Sequence, residues 1–383
     1  MNRILFRFAL VLLVACALRS HLFAQVAQGP LTKPLAPFVE KHTLAGAVVL
    51  VANKDKTLAV ESVGFSDIAA GKPMANNAMF WIASQSKPVT ATALMILVDE
   101  GKVKLDDPIE KYLPEFKDLK LADKNAEGIT VLKAPARSVT IRDCLNHTSG
   151  MPFKSAAEEP TLDALSLAAG VRSYAKTPLQ TQPGTKYQYS NAGINTAGRI
   201  VEVVSGMPFE EFLDKRLFQP LGMTDTTFWP NDEQVKRLAL SYKPNTAKDN
   251  LEPVRIGQLR YPLTDRARGP MPAGGLFSTA EDMAVFCRMV LNGGTYNGKR
   301  ILSEESVKTM TTRQTPASMK ESYGLGWSAG GNTCGHGGAH STSMNIDFKR
   351  GLVTIYMVQH AGFPGDGGQS RGAFEKAAAG LVK

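Results

Sequence analysis

Cysteine is scarce in this chain of 383 residues, and the four that occur stand far apart, at Cys16, Cys144, Cys287 and Cys334. No two of them form a C-x-x-C pair, the spacing typical of zinc ribbons and redox sites. Cys16 lies in an apolar N-terminal leader, and the three others cannot all pair. The pattern excludes a disulfide framework, so we expect three small, buried, hydrophobic side chains.

Positive charge is in only mild excess, with a formal net charge of +9, and no cluster of Lys and Arg alternates with aromatic residues. The chain lacks the electrostatic pattern of a nucleic-acid-binding protein, and we expect no nucleic-acid partner. Internal repeats and low-complexity linkers are lacking as well. With 43% hydrophobic and 21% charged residues, the composition is that of a folded globular protein, and the length favours two lobes or domains.

The conspicuous hydrophobic run at the start, Phe8 to Leu18, is too short to span a bilayer. It follows two arginines and has the length of the apolar region of a secretory signal. We therefore predict that residues 1–24 are a signal peptide cleaved after Ala24, and that the mature protein is periplasmic or secreted. Residues 13–16, Leu-Val-Ala-Cys, also resemble a bacterial lipobox, in which a lipidated Cys16 would anchor the protein to a membrane.

Strand patterns occur at both ends of the chain. Residues 44–65 contain two apolar runs separated by a polar turn, which predicts a β-hairpin, and residues 344–348 and 352–358 predict two more strands. From about residue 88 to residue 290, apolar residues recur mostly with helical spacing.

These patterns predict an α/β (α+β) fold. An antiparallel sheet would be built from both chain ends, residues about 36–87 and 291–383, and flanked by helices. A mostly α-helical lobe, residues about 88–290, would be inserted between them. The cleft between two such lobes is the expected position of a functional site.

The first motif that could support catalysis is Ser84-x-x-Lys87. The apolar stretch that follows it ends at Gly101 and is typical of a buried helix. Because proline is tolerated only in a first helical turn, Pro88 predicts that this helix begins at or near Ser84. Ser84 and Lys87 then share one face. Burial and the positive end of the helix dipole would lower the lysine pKa, which favours a pair of nucleophile and base.

Two other serines compete for the role of nucleophile. Ser173-x-x-Lys176 has the same spacing, but Thr-Pro follows it and it opens no buried helix. Ser328 lies in Gly326-Trp-Ser-Ala-Gly330, which fits the G-x-S-x-G elbow of the α/β-hydrolases. An elbow requires a helix directly after the serine, whereas the residues that follow are poor helix formers. Both serines are therefore weaker candidates than Ser84.

The second motif, Tyr189-x-Asn191, stands at a turn that enters a helix. In a serine hydrolase, Tyr189 can relay a proton to the leaving group, and Asn191 can hold a substrate carbonyl. A core tyrosine followed by a capping asparagine fits the same pattern. His147, in a nearby His-Thr-Ser-Gly segment, is more typical of a residue that stabilises a turn than of a catalyst.

The third motif, His336-Gly337-Gly338-Ala339, precedes the last two strands. Its glycines allow a substrate to approach a strand edge closely, and the N–H groups of Ala339 and Ser84 would form an oxyanion hole. With an ordinary pKa of roughly 6.5, His336 is expected to be a mostly neutral, pH-dependent contact for the substrate. A pure packing role for His336 is the alternative. No carboxylate stands at a ligand spacing from the histidines, so we predict no metal and no cofactor.

With these motifs in place, the chain resembles the serine β-lactamase and penicillin-binding protein superfamily over about residues 36–380. The resemblance is to the class C β-lactamase-like branch, with its DD-peptidases, D-aminopeptidases and carboxylesterases. Further segments that carry it are LVDEGKVKLDDPIEKYLPEF, VTIRDCLNHTSGMP, PGTKYQYSNAGINTAGRIVEVVSG, LFQPLGMTDT and PAGGLFSTAEDMAVF. The resemblance implies a β-lactamase/transpeptidase-like fold.

By this similarity, Ser84 is the acylated nucleophile, Lys87 and Tyr189 are the bases, and the third motif is the strand that flanks the substrate. The chain departs from true class C β-lactamases at His336, where they carry a lysine that binds the substrate carboxylate. Many relatives also have a glycine at the position of Ser341. We therefore expect short-chain esters to be better substrates than penicillins.

The resemblance leaves three functions open. The first is an exported serine hydrolase of small esters, amides or β-lactams. The second is a peptidoglycan DD-peptidase or D-aminopeptidase, and the third is a β-lactam sensor that is acylated without turnover. In each case the partner is a small molecule or short peptide, and we expect a monomer.

Overall fold

The computed structural model describes residues 29–381. The signal peptide predicted at residues 1–24, and with it Cys16, lies outside this range. Within it, no helix is long and apolar enough to cross a membrane. Cys144, Cys287 and Cys334 are buried free thiols, in agreement with the prediction.

The helices and strands are numbered in chain order. The α-helices of residues 29–381 are α1 (Ala36–Glu40), α2 (Ser86–Asp99), α3 (Ile141–Leu145), α4 (Leu167–Ala175), α5 (Asn191–Ser205), α6 (Phe209–Leu213), α7 (Gln219–Leu221), α8 (Asp232–Arg237), α9 (Ala280–Leu291), α10 (Glu304–Thr311) and α11 (Ser370–Ala379). The strands are β1 (Gly46–Asn53), β2 (Thr57–Asp67), β3 (Lys72–Pro73), β4 (Phe80–Trp81), β5 (Leu121–Lys124), β6 (Thr130–Lys133), β7 (Ser241–Pro244), β8 (Leu251–Val254), β9 (Phe277–Ser278), β10 (Thr295–Tyr296), β11 (Lys299–Arg300), β12 (Ser328–Ala329), β13 (Thr333–Gly337), β14 (Ser343–Asp347) and β15 (Leu352–Met357).

Both ends of the chain contribute to one seven-stranded sheet, in the order β12-β13-β14-β15-β1-β2-β3. All neighbouring strands are antiparallel. The junction between the chain ends is the β15–β1 pair, in which Leu50 lies opposite Ile355. The predicted hairpin at residues 44–65, the two predicted C-terminal strands and the predicted α/β fold class are confirmed.

Strand β1 is buried on both faces because its side chains alternate between two apolar layers. Val49 and Val51 pack in a layer with the helices near the two chain ends, whereas Val48 and Leu50 point into the central core. Helix α9 lies, except for Leu291, within the range 88–290 predicted for the helical lobe, and it packs against the core-facing side of the sheet at β1, β14 and β15. The sheet is thus covered on both sides.

Helix α2 is the central helix of the protein, since every residue from Ser86 to Leu97 is buried. It packs against α5 and α10. The burial of this segment agrees with the sequence, which is apolar almost all round the helix. The side chains at its N-terminal end are therefore held in a rigid, water-poor environment.

The conformation of Gly326 explains why the G-x-S-x-G pattern at residues 326–330 occurs here without a nucleophile elbow. Its backbone has a φ of +74°, and a Cβ atom there would lie 2.7 Å from the Lys87 carbonyl oxygen. The glycine thus allows the chain to pass closely over α2. Ser328 follows on the edge strand β12, and the next element is strand β13 rather than a helix. The structure therefore shows no nucleophile elbow at Ser328.

We predict that Gly326→Ala destabilises the protein more than Gly331→Ala, as measured by urea unfolding. Gly331 also has a positive φ, of +70°, but no atom would lie within 4 Å of an added Cβ. Gly331→Ala should therefore cost roughly 1–2 kcal/mol for the left-handed backbone alone. Gly326→Ala should add about 1–3 kcal/mol for the clash with α2. Equal losses in the two variants would contradict this account of the close approach.

Candidate active site

Ser84 lies at the junction between strand β4 and helix α2. The chain turns sharply there, since Ala83 has a φ of +46°, a conformation that costs a residue with a side chain about 1–3 kcal/mol. A single 3₁₀ turn, Ala83–Gln85, precedes α2, whereas the sequence predicted that the helix begins at or near Ser84. The turn continues directly into α2, so Ser84 and Lys87 remain on one face.

Lys87 is completely buried, and its Nζ lies 3.0 Å from Ser84 Oγ. Nζ also donates a hydrogen bond to the Ala273 carbonyl oxygen, at 2.7 Å. Burial lowers the pKa of Lys87 well below its ordinary value of 10.5. A neutral amine has a lone pair, so the Ser84 hydroxyl can donate its proton to Nζ. The pair thus has the geometry of a nucleophile and its general base.

Tyr189 lies beside this pair, with Lys87 Nζ 4.7 Å from the centre of its ring. Burial raises the pKa of Tyr189 to about 12, and a hydrogen bond with the Ser84 side chain opposes the shift. Tyr189 is therefore a protonated phenol at neutral pH, and its hydroxyl can donate to a leaving group but cannot serve as the resting base.

Asn191 begins helix α5, two residues after Tyr189. Its side chain is buried, and Oδ1 has no hydrogen-bond partner among residues 29–381. An unpaired buried amide oxygen costs free energy unless a ligand satisfies it. Asn191 Oδ1 is therefore suited to accept a hydrogen bond from a donor such as the N–H of a substrate amide.

His147 fixes the position of Tyr189. Its carbonyl oxygen accepts a hydrogen bond from the Gln188 N–H, and its Nδ1 accepts one from the Ser190 N–H. The ring of His147 lies 4.4 Å from the ring of Tyr189, measured between centroids. Asp143 in turn accepts a hydrogen bond from Thr148 and so holds this turn. The structure thus gives His147 a turn-stabilising position, as the sequence indicated.

The third motif forms the opposite wall of the site. Gly337 ends strand β13, and Gly338 packs so closely that a Cβ atom there would lie 2.6 Å from the Ile82 carbonyl oxygen, two residues before Ser84. Within residues 29–381, neither the Ser84 N–H nor the Ala339 N–H donates a hydrogen bond to the protein. Both donors are free to bind a substrate oxygen.

His336 differs from the sequence expectation. Its Nδ1 donates to the Gly337 carbonyl oxygen at 2.7 Å, and its Nε2 accepts from the Tyr323 hydroxyl at 2.9 Å. Burial lowers the pKa of His336 to about 3. The expected pKa near 6.5 is therefore wrong, because burial disfavours the charged imidazole, whereas the expected neutral state at pH 7 agrees with the lowered pKa. Both ring nitrogens are engaged within the protein, so the ring is not a free, pH-dependent contact for the substrate.

The other residues noted in the sequence lie elsewhere. Ser173 is on α4, where its hydroxyl donates to the Gly170 carbonyl oxygen and shares a hydrogen bond with the Ser155 hydroxyl, and the bond that joins it to Lys176 is between backbone groups. Ser341, at a position where many relatives have glycine, adopts a φ of +67° and donates a hydrogen bond to the His360 carbonyl oxygen. The left-handed backbone explains why glycine suits that position.

Three residues near the site were not found from the sequence. The Ala273 carbonyl binds Lys87 through its backbone, which no side-chain pattern reveals. Tyr323 and Tyr187 lie against His147 at 4.8 and 5.7 Å between ring centroids. Tyr187 lies two residues before Tyr189, so the second motif could have pointed to it. Tyr323 lies in a segment that contains no motif.

The chain is similar to known proteins over most of its length. A family model described as Beta-lactamase matches residues 31–378. The chain is 33% identical over 350 residues to "Protein Rv1367c" of Mycobacterium tuberculosis, with 83% of this chain and 86% of that protein covered. A Salmonella typhimurium protein named "Putative D-alanyl-D-alanine carboxypeptidase" is 29% identical over 303 residues, with 71% and 67% covered.

Solved structures confirm the predicted fold. The chain superimposes on "EstCE1, a hydrolase with promiscuous acyltransferase activity" with a TM-score of 0.74 at 22% identity, covering 94% of this chain and 99% of that one. The unliganded simvastatin synthase LovD of Aspergillus terreus, as its selenomethionyl derivative, gives a TM-score of 0.76 at 20% identity, covering 92% and 98%. At these identities the likeness establishes the fold alone.

We predict that a fluorophosphonate probe forms one covalent adduct, on Ser84, because Ser84 has a neutral amine 3.0 Å from its hydroxyl oxygen. Intact-mass measurement should show the adduct in the unmodified protein and its loss in Ser84→Ala. Ser173→Ala and Ser328→Ala are the matched controls and should retain it. An adduct that survives in Ser84→Ala and maps to Ser328 would contradict the assignment.

We predict that the rate of this reaction rises with pH and then reaches a plateau. Only the neutral form of Lys87 accepts the Ser84 proton, and its pKa is lowered by burial, so the rate falls as the pH drops through that pKa. Lys87→Arg should abolish the reaction, because arginine stays charged. The test is to stop the labelling reaction at set times and to measure the labelled fraction by intact mass across pH 4–10. This interval is chosen to bracket the lowered lysine pKa. A Lys87→Arg variant that reacts at the unmodified rate would show that another group is the base.

Proposed function

The chain belongs to the Beta-lactamase family, and from this premise we propose that it is a serine hydrolase of small, uncharged acyl compounds that forms an acyl-enzyme on Ser84. Short-chain esters are its preferred substrates. The single observation that carries the proposal is the contact of the buried Lys87 Nζ with Ser84 Oγ, at 3.0 Å. It supplies an activated nucleophile from two side chains of the protein itself.

Acylation follows from this contact. As Ser84 Oγ forms a bond with the substrate carbonyl carbon, its proton passes to the lone pair of Lys87 Nζ. The N–H groups of Ser84 and Ala339 bind the oxygen on which negative charge develops. When the bond to the leaving group breaks, the Tyr189 hydroxyl donates its proton to the leaving oxygen and recovers one from the charged Lys87.

Deacylation uses the same groups in reverse. A water molecule gives a proton through Tyr189 to Lys87 as its oxygen attacks the acyl carbon. The bond to Ser84 Oγ then breaks, Oγ regains the proton, and the acid is released. The high pKa of Tyr189 suits this relay, because the phenol returns to its protonated form after each transfer.

The preference for uncharged substrates rests on the charge of the site. Penicillins and peptides that end in D-Ala-D-Ala carry a carboxylate, which needs a fixed cation. Position 336 offers a neutral imidazole whose two nitrogens already bind Gly337 and Tyr323. Lys87 must itself be neutral in order to act as the base. Among these groups, therefore, none carries a positive charge in the resting protein.

A second candidate function is removal of D-alanine from a D-Ala-D-Ala peptide. It is favoured by the Salmonella typhimurium relative, which is named as such a carboxypeptidase. The site has the donors that an amide substrate needs, since Asn191 Oδ1 is unpaired in residues 29–381 and can accept from a substrate N–H. The two functions differ in whether the substrate carboxylate improves binding.

We predict that p-nitrophenyl butyrate is hydrolysed with a kcat/KM higher than that of nitrocefin. The difference should be on the order of tenfold or more, the equivalent of one missing charge-assisted hydrogen bond. His336→Lys should raise the nitrocefin-to-ester ratio because it supplies a cation, whereas the neutral His336→Gln should not. Initial rates of the two substrates with the unmodified protein and the two His336 variants provide the measurement, with Ser84→Ala as the background control.

A D-Ala-D-Ala peptide and its C-terminal amide complete this test. If the free peptide is turned over faster than both its amide and the ester, the second candidate replaces the first. If one equivalent of p-nitrophenol is released and no turnover follows, the protein is an acylated sensor and the hydrolase proposal fails.

A further inference from the structure

A chain of buried hydrogen bonds extends from Lys87 into the helical lobe. Lys87 Nζ donates to the Ala273 carbonyl oxygen, and the N–H of the same residue, Ala273, donates to Asn195 Oδ1 at 2.9 Å. Asn195 lies on α5, one helical turn after Asn191. It belongs to none of the three motifs, and the acylation and deacylation steps do not use it.

Beyond Asn195, the series of hydrogen bonds continues through two more side chains. Asn195 Nδ2 donates to the Tyr174 hydroxyl oxygen at 2.9 Å, and the Tyr174 O–H donates to Glu158 Oε1 at 2.6 Å. The other oxygen of Glu158, Oε2, accepts from the Ser155 N–H at 2.8 Å. The chain thus ends at a carboxylate whose two oxygens both accept hydrogen bonds.

The Glu158 carboxylate determines the donor and the acceptor in each hydrogen bond of this series. Because Glu158 accepts, the Tyr174 proton must point toward it, and the Tyr174 oxygen can only accept from Asn195. The Asn195 amide therefore directs Nδ2 to Tyr174 and Oδ1 to the Ala273 N–H. Glu158, Tyr174 and Asn195 are each at most 3% exposed, so water does not offer competing partners.

We propose that Asn195 is a positioning residue for the reaction at Ser84. Its amide holds the backbone of Ala273 through the N–H group, so that the carbonyl oxygen of the same residue binds one N–H of neutral Lys87 and turns the lone pair of Nζ toward Ser84 Oγ. Tyr174 and Glu158 hold the amide in that orientation. The inference rests on the proposed role of Lys87 as the base, and it extends the set of required residues into the helical lobe.

The test compares Asn195→Leu, Tyr174→Phe and the control Thr196→Val in the full-length protein. Thr196 is the next residue on α5 and is equally buried, but its hydroxyl bonds to the Ala192 carbonyl oxygen and not toward Lys87. The kcat and KM for p-nitrophenyl butyrate are measured well below each variant's melting temperature. They are normalised to the sites that fluorophosphonate labels after long incubation, which removes any loss due to unfolded protein.

We expect Asn195→Leu to lower kcat on the order of 10- to 100-fold, with KM nearly unchanged, because misdirection of the base affects the chemical step. Tyr174→Phe should lower kcat less, since Oδ1 of Asn195 can still bind Ala273. Thr196→Val should keep the unmodified kcat. A kcat of Asn195→Leu within twofold of the unmodified protein, or an equal loss in Thr196→Val, would overturn the proposal.

The rate of fluorophosphonate labelling separates this inference from the proposed function. Labelling needs Ser84 and its base but no natural substrate. Slower labelling of Asn195→Leu supports the positioning role even when the unmodified protein fails to hydrolyse esters. Suppose that the unmodified protein hydrolyses esters through Ser84, and that fluorophosphonate labels Asn195→Leu as fast as it labels the unmodified protein. In that case only the positioning role is wrong.

Discussion

The site depends on one constraint, which is that Lys87 is buried beside Ser84. Placing a charged ammonium group in a protein interior costs several kcal/mol unless a counter-charge accompanies it. No carboxylate within residues 29–381 contacts Lys87 Nζ, which binds Ser84 and a backbone carbonyl instead. Burial therefore lowers the pKa of Lys87 well below its ordinary value, and only as a neutral amine can the lysine accept the serine proton. The base role that we propose for Lys87 thus follows from its burial.

The surrounding structure keeps Lys87 buried beside Ser84. Helix α2 must be buried to keep Nζ dry, and its packing against α5 and α10 contributes to that burial. The chain must turn sharply to present Ser84 at the start of the helix, and the left-handed backbone of Ala83 provides that turn at an energetic cost. Tyr189 and Gly338 come from opposite walls, so the site forms only when both lobes are folded.

The sequence was sufficient to predict those parts of the site that are local in the chain. Ser84 and Lys87 are one helical turn apart, and Pro88 marked the start of the helix. The two-ended sheet was predictable for a similar reason, since its strands have clear apolar runs. The lowered pKa of His336 and the engagement of its Nε2 could not be predicted, because they depend on burial and on Tyr323, which lies outside the three motifs. The link from Lys87 through Ala273 to Asn195 was equally hidden, since it joins residues more than 75 positions apart through a backbone group.

The most direct test of the account is a measurement of the protonation state of Lys87. The protein can be labelled with lysine that carries ¹³C at the ε position, and the Lys87 resonance can be assigned by its absence in Lys87→Arg. The account predicts a chemical shift of a neutral amine at pH 7 and a titration midpoint well below the ordinary lysine pKa of 10.5. A Lys87 that is still charged at pH 7 would contradict the central claim, since a charged ammonium group cannot accept the Ser84 proton.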